Sequence, residues 1–267
     1  MENHPFDIHL IQSWLREAGQ LALAKRTTLH TSIKSDRTLV TNIDQEIEAL
    51  LLGHIFQHYP NHQALSEEGG RNIGEIEYLW IIDPIDGTRA YASGLPIWGI
   101  SIGILKDTKP YAGIFFMPAT EEMYWSIGGQ GFYNDIPLDP LNELGIESPL
   151  AFIAVPSSTH LEYNISFPRL RSMGSTAAHL AYVASGIATA ALTRCIKIWD
   201  VAGVLPILRA VGADLVYLSG KPFQAYEILG GQTSSEPLIA APTKLIEHIR
   251  EFIQVKSDFA EKILASD

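Results

Sequence analysis

Apolar residues along the first sixty positions recur at helical spacing. Ile8, Ile11, Leu15, Ala18 and Ala22 predict an amphipathic helix. A polar loop over Thr31–Asp36 follows, and Ile43, Ile47, Leu50, Leu51 and Ile55 then mark a second helix stopped by Pro60. Thr41 suits the N-cap of that helix, and Asp44 three residues on sits near its positive end. The spacing then shortens to that of strands. Tyr78–Ile82 is a continuous apolar run ending at Asp83, residues 100–105 and 111–117 read as paired strands about a turn at 106–110, and residues 121–126 and 131–133 as a hairpin.

Pro137, Pro140 and Pro149 interrupt this order and divide the expected chain into residues 1–143 and 144–267. The first half is helices followed by a mostly antiparallel sheet. In the second, strands at 151–155, 188–192, 214–218 and 238–241 alternate with helices at 175–185, 201–211 and 242 to about 264. The fold class expected is α+β / α/β.

Composition narrows the function. With 46% hydrophobic and 18% charged residues the chain reads as a soluble globular protein. A net charge of −11 disfavours nucleic acid as a partner, and an acidic protein that binds an anionic metabolite needs a cation between the two. No apolar run reaches the length of a membrane span, and the first residues lack a signal-peptide pattern, so the expected location is cytoplasmic. The lone cysteine, Cys195, is expected in the core.

Acids punctuate the chain where strands give way to helices. Asp83-Pro84-Ile85-Asp86-Gly87-Thr88 places two carboxylates on one tight turn, stiffened by Pro84 and allowed a close approach by Gly87. Ser66-Glu67-Glu68-Gly69-Gly70 would by itself be a solvated turn, and Asp200 in Trp199-Asp200-Val201-Ala202-Gly203 would by itself be an N-cap. Together such oxygen ligands suit magnesium or manganese. His54 and His58 stand one helical turn apart, but a solvated helix end is expected, with no acid placed beside them. Gly220-Lys221-Pro222 lacks the spacing of a phosphate-binding nucleotide loop.

In this order the motifs resemble the inositol monophosphatase family of magnesium-dependent, lithium-sensitive phosphatases. The resemblance runs from Lys34 through Leu39–Asp44, Ser66–Glu68, Trp80–Thr88 and Gly174–Ala177 to Trp199–Gly203. It implies a layered α/β/α/β/α sandwich of the sugar-phosphatase type, often dimeric, that hydrolyses a small phosphorylated metabolite with two or three Mg²⁺ ions, Mn²⁺ being a substitute. By resemblance Glu67, Asp83 and the Ile85 carbonyl hold one ion, and Asp83, Asp86 and Asp200 a second. Glu67 holds a looser third. Asp44 and Thr88 activate the attacking water, and Lys34 is the basic residue of the metal-site loop. Gly87 and Thr88 offer amides to phosphate. Gly174, Ser175 and Thr176, with Asp86 and Asp200, contact the substrate.

Inositol-cleaving members carry a glutamate seven residues before the aspartate of the Trp-Asp motif, where this chain has Thr193, followed by Arg194. A site that loses its acceptor for a hydroxyl pair loses discrimination, and Arg194 instead suits a second anionic group. Residues 87–99 are similar to the histidinol-phosphate phosphatase branch. The expected substrate is therefore an inositol-phosphate-like or sugar-phosphate-like ester, with histidinol phosphate or fructose bisphosphate as alternatives and a catalytically silent metal-binding homologue as the rival of another class.

Overall fold

In the computed structural model, which describes residues 4–34, 38–69, 77–141, 146–194 and 196–256, the chain opens with α1 (Ile8–Lys25), capped by the Asp7 carboxylate. A ribbon of β1 (Thr31–Ile33) and β2 (Leu39–Thr41) leads into α2 (Asn42–His58). Next come β3 (Gln63–Ser66), β4 (Tyr78–Asp86), α3 (Thr88–Ser93), β5 (Gly99–Lys106), β6 (Lys109–Met117), β7 (Glu122–Ile127), β8 (Gln130–Tyr133) and β9 (Ile136–Pro137). These strands form a seven-stranded sheet in chain order, antiparallel apart from the parallel β3–β4 pair.

The rest of the chain contributes β10 (Ile153–Ala154), α4 (Thr159–Glu162), β11 (Tyr163–Ile165), β12 (Leu170–Arg171), α5 (Thr176–Ala184) and β13 (Ala190–Leu192). It ends with α6 (Trp199–Ala202), α7 (Leu205–Ala210), β14 (Ala213–Tyr217), β15 (Leu238–Pro242), α8 (Ile246–Glu251) and β16 (Ile253–Val255). A five-stranded sheet runs in the order β12-β10-β13-β15-β14, parallel over its first two pairings and antiparallel over the last two.

The two faces of β4 show how the layers are built. Trp80 and Ile82 point to one side, into a core with Trp14 of α1 and Ile47 of α2. Leu79 and Ile81 point to the other, where α5, α6 and α7 bring Leu180, Val201 and Leu208, and the second sheet brings Ala154, Ala191 and Ala240. The far face of that second sheet presents Ile153, Leu192 and Ile239 to Ile246 and Ile249 of α8. The order is α/β/α/β/α, as the resemblance implied. Burial on both faces explains why β4 is a continuous apolar run rather than an alternating one.

Several local expectations are corrected. The helix expected from Pro242 to Leu264 is instead the end of β15, a turn, the short α8, and then β16 paired antiparallel with β11. One turn and a half of helix already covers Ile246 and Ile249, and an open strand edge at Tyr163–Ile165 then takes Ile253–Val255 as its partner. The helix expected over 201–211 divides into α6 and α7, because Pro206 at the start of α7 has no N–H to continue the first helix. Part of the expected loop at 31–36 is β1, whose exposed side chains leave no apolar signal. The turn expected over 106–110 shrinks to Asp107 and Thr108, both at positive φ, so that Lys106 pairs directly with Lys109. Ser35, Asp36, Gly70, the 143/144 boundary, Cys195 and residues 257–264 lie outside the described residues.

Close packing brings the α6–α7 junction onto the first sheet. A Cβ on Gly203 would stand 2.9 Å from the Ile114 carbonyl oxygen and 3.2 Å from that of Ile102, both backbone atoms. Gly203→Ala is therefore expected to cost about 1–3 kcal/mol through overpacking. Urea unfolding would register this as a lower midpoint, and an unchanged midpoint would show that the layer can move apart.

Candidate active site

The site begins where β4 loses its ladder. Pairing with β5 shifts register between Asp83 and Asp86, and Pro84 between them has no donor to offer. The Ile85 N–H turns back to Asp83 Oδ1 at 3.1 Å. Gly87, at φ +88°, then makes the corner into α3. A Cβ there would be strained and would stand 2.9 Å from the Gly174 carbonyl oxygen, so this glycine lets the α3 and α5 approaches meet.

Three other helix starts converge on this corner. At α2, Thr41 and Asp44 form a capping box. Asp44 Oδ2 accepts the Thr41 N–H at 2.9 Å and a short hydrogen bond from the Thr41 hydroxyl, while its Oδ1 accepts from Thr88 Oγ1 at 3.3 Å. Thr88 Oγ1 also lies 3.0 Å from the Ile85 carbonyl oxygen. At α5, Asp86 Oδ2 accepts the Ala177 N–H at 3.0 Å and a short bond from the Ser175 hydroxyl. At α6, Asp200 Oδ2 accepts the Lys197 N–H at 2.8 Å. Carboxylate oxygens of Asp83, Asp86 and Asp200 all lie within 4.8 Å of one another.

Three carboxylates this close and this deep repel one another and are poorly solvated. Burial, followed by the charges of Glu67 and Asp86, pushes Asp83 well above the usual carboxylate range. Burial, reinforced by the Asp86 charge, lifts Asp200 to about 8. Burial lifts Asp86 to about 6 against the hydrogen bonds from Ser175 and Ala177, and lifts Asp44 to about 6 against those from Thr41. The set has the donor chemistry of a magnesium or manganese site: oxygen ligands only, clustered, with surplus negative charge.

Glu67 follows β3, anchored by its N–H on the Ile82 carbonyl at 3.3 Å. Its carboxylate lies 2.9 Å from Lys34 Nζ, which also reaches Glu68 at 2.6 Å. Burial works to lower the Lys34 ammonium, but Glu68 and Glu67 outweigh it and raise it. A cavity of about 410 Å³ opens over the cluster, lined by Glu67, Asp83, Ile85, Asp86 and Asp200, by Gly87, Thr88 and Arg89, and by Gly174, Thr176 and Arg194. That volume suits a small metabolite.

The structure thus brings most of the expected site residues to one place, with two exceptions. Thr193 does not line the cavity. It is buried, and its hydroxyl exchanges hydrogen bonds with the backbone of Leu238. Ser175 does not offer its hydroxyl to the cavity either. That group is spent on Asp86 and on the Ala178 amide that it caps. His54, expected to have no acid beside it, lies 2.8 Å from Glu17 of α1 and stacks on Trp14, because the α1–α2 packing supplies a partner that α2 alone does not.

Glu48 and Arg89 went unread in the sequence. Glu48 Oε2 accepts the Glu68 N–H at 3.0 Å and so holds the Glu67-Glu68 turn. Its signal was an acid one turn after Asp44 on the apolar face of α2. Arg89 lines the cavity next to Thr88.

Comparison with known proteins places this geometry. The profile of the inositol monophosphatase family matches residues 6–254. The chain is 33% identical to the inositol-1-monophosphatase of Bacillus subtilis (strain 168) over 84% of its own length and 91% of the relative's. It is 28% identical to a fructose-1,6-bisphosphatase/inositol-1-monophosphatase of Aquifex aeolicus (strain VF5), covering 79% of this chain and 84% of that one. In fold it is similar to the solved IMPase of Thermotoga maritima, with a TM-score of 0.79 at 24% identity over 94% of this chain and 96% of the other. The chain therefore belongs to the inositol monophosphatase family, and the expectation of a phosphomonoesterase stands with that membership.

Proposed function

We propose that the protein hydrolyses a small phosphate monoester in a reaction that depends on divalent cations, magnesium or manganese. The observation that carries this reading is the Asp83–Asp86–Asp200 cluster, three carboxylates within 4.8 Å at the floor of a cavity of metabolite size. Glu67, Asp83, the Ile85 carbonyl, Asp86 and Asp200 would hold the cations. Bound there, divalent ions would offset phosphate charge and acidify a water molecule.

The chain's own groups account for the rest. Thr88 keeps lone pairs free for a water proton while its hydroxyl hydrogen rests on Asp44 or on the Ile85 carbonyl. Asp44, lifted to about 6 by burial, is matched to accept that proton near neutral pH. The water oxygen bonds to phosphorus, its proton passes through Thr88 to Asp44, the ester P–O bond breaks, and the departing alkoxide oxygen takes a proton from solvent water that enters the open cavity. Gly87 and Thr88 receive phosphate oxygens, and positioning does most of the work.

Phosphate release tests this on inositol 1-phosphate, fructose 1,6-bisphosphate, histidinol phosphate and a nucleoside monophosphate, each with magnesium and with a chelator. Turnover of at least one ester, lost in chelator, is expected. A folded, magnesium-supplied sample that turns over none would overturn the proposal.

The Asp44 relay gives a second expectation. Thr41→Ala removes the hydroxyl that pins Asp44 and the helix cap with it, a loss of about 1 kcal/mol in stability. Asp44 keeps the residue-41 N–H and the Thr88 hydroxyl as partners but loses the hydroxyl that fixes its Oδ2, so kcat is expected to fall by roughly three- to tenfold with KM little changed. Thr41→Ser should restore both. Wild-type kcat in Thr41→Ala would show that the Thr41 hydroxyl does not position Asp44 for catalysis.

A further inference from the structure

Beside its acids, the cavity is also lined by basic residues. Among its lining residues the cations are Arg89 and Arg194. Arg194 is held in place from behind. Its Nη2 lies 2.7 Å from Glu162 Oε1, and its Nη1 donates to Ser158 Oγ at 3.4 Å. Glu162 sits on α4 with its side chain only 6% exposed, whereas the Arg194 side chain is 50% exposed. A buried carboxylate thus anchors a half-exposed guanidinium that lines the cavity. A guanidinium has five donors in a fixed fork, and these contacts use two of them. Thr193, next in the chain, has its hydroxyl committed to Leu238 and offers the cavity no acceptor for a pair of substrate hydroxyls.

From this juxtaposition, and resting on the phosphomonoesterase reading above, we infer that Arg194, oriented by Glu162, binds a second anionic group of the substrate, a phosphate or carboxylate distinct from the phosphoryl group that is cleaved. The cluster acids and their cations deal with the reacting phosphate. The Arg194 guanidinium deals with the remainder of the molecule. Preorganisation by Glu162 and Ser158 lowers the entropy lost when the ligand docks. Two N–H groups meeting two oxygens of one anion give a directional contact that a neutral hydroxyl cannot replace. Arg89 adds positive potential to the same cavity without a fixed partner of its own among the described residues. The preferred substrates are therefore phosphate monoesters that carry two anionic groups, and polyols with a single phosphate are poorer ones.

Matched esters test the inference with the full-length, magnesium-supplied protein. One arm compares 2-phosphoglycerate with glycerol 2-phosphate and reads a carboxylate. The other compares fructose 1,6-bisphosphate with fructose 1-phosphate and reads a second phosphate. In at least one arm the doubly anionic ester is expected to have a kcat/KM higher by roughly tenfold or more, expressed mainly in KM. Arg194→Gln should bring that ratio to within about threefold of unity, and Arg194→Lys, which keeps the charge but not the fork, should recover part of it. Glu162→Gln should raise KM for the same ester in the same direction. Arg194 is half exposed, so its variants are expected to keep the wild-type melting temperature, and that measurement accompanies the kinetics. A wild type with no preference in either arm overturns the inference, as does an Arg194→Gln protein that slows both members of a pair equally. Hydrolysis of single-phosphate esters under those outcomes leaves the phosphomonoesterase reading intact. A sample that hydrolyses none of the four esters removes that reading and the inference together.

Discussion

Asp83→Asn is expected to abolish phosphatase activity while making the metal-free protein more stable. Asp83 is buried at 2% exposure, and its neighbours Glu67, Asp86, Asp200 and Asp44 all act on it as like charges. An amide of the same shape is neutral at every pH, so it carries neither that repulsion nor the cost of taking up a proton near neutral pH. Its oxygen can still accept the Ile85 N–H that closes the turn, so the backbone at Pro84 has no reason to move. Without cations the change relieves repulsion, and the melting temperature should rise. With cations it removes a ligand from the centre of the cluster. Activity is expected to fall by on the order of 10³-fold or more, a loss of the size seen when a group that stabilises transition-state charge is removed. The melting temperature should also respond less to added magnesium. Opposite signs for stability and activity separate this reading from ordinary damage, which lowers both. A destabilised Asp83→Asn protein, or one with wild-type turnover, would refute the central place given to Asp83.

What could be read from the sequence was chemistry carried by near neighbours. The capping box of Thr41 and Asp44 and the turn from Asp83 to Thr88 each close within a few residues, so residue type and spacing were enough to see them. Continuous burial of Tyr78–Ile82 was visible for the same reason. Other features depend on what the fold brings alongside. Arg194 meets Glu162, Ser175 gives its hydroxyl to Asp86, and Glu17 reaches His54, each across a long stretch of chain with no local trace. The direction of Thr193 was equally hidden, since it depends on where β15 places Leu238. β16 escaped notice because a strand of three residues owes its existence to the edge that receives it. Motifs thus mark the carboxylate cluster, while the surroundings of Arg194 and Thr193 are arranged by tertiary packing.

Stability of the metal-free protein should fall as pH rises, and divalent cations should reverse the fall. Asp44 and Asp86 at about 6, Asp200 at about 8 and the raised Asp83 all bind protons in the folded state that the unfolded chain releases near 3.8. A carboxylate raised in this way contributes stability that is fully present below the unfolded value and lost as pH climbs through the folded one. For Asp44, Asp86 and Asp200 the window for the loss runs from about pH 4 to about 8, set by Asp200 at its upper end. His179 acts in the opposite sense. Burial lowers it from 6.5 to about 4, its ring accepts the Met173 N–H, and so it adds stability as pH rises between those values. From pH 6.5 upward that opposition fades, because folded His179 is already neutral and the unfolded imidazole loses its remaining charge within about one pH unit. Over pH 6.5 to 8.5 the melting temperature in chelator is expected to drop by roughly 5–10 °C for a chain of this length. Added magnesium should raise it most at the alkaline end, where the ligands have already shed the protons that compete with the ion. The steepest response belongs to the groups with the highest folded values, so Asp200→Asn should flatten the upper part of the curve more than Asp44→Asn does. A flat or rising profile in chelator would mean that a cation of the chain itself, such as Lys197, whose charge acts on Asp200, already neutralises the cluster.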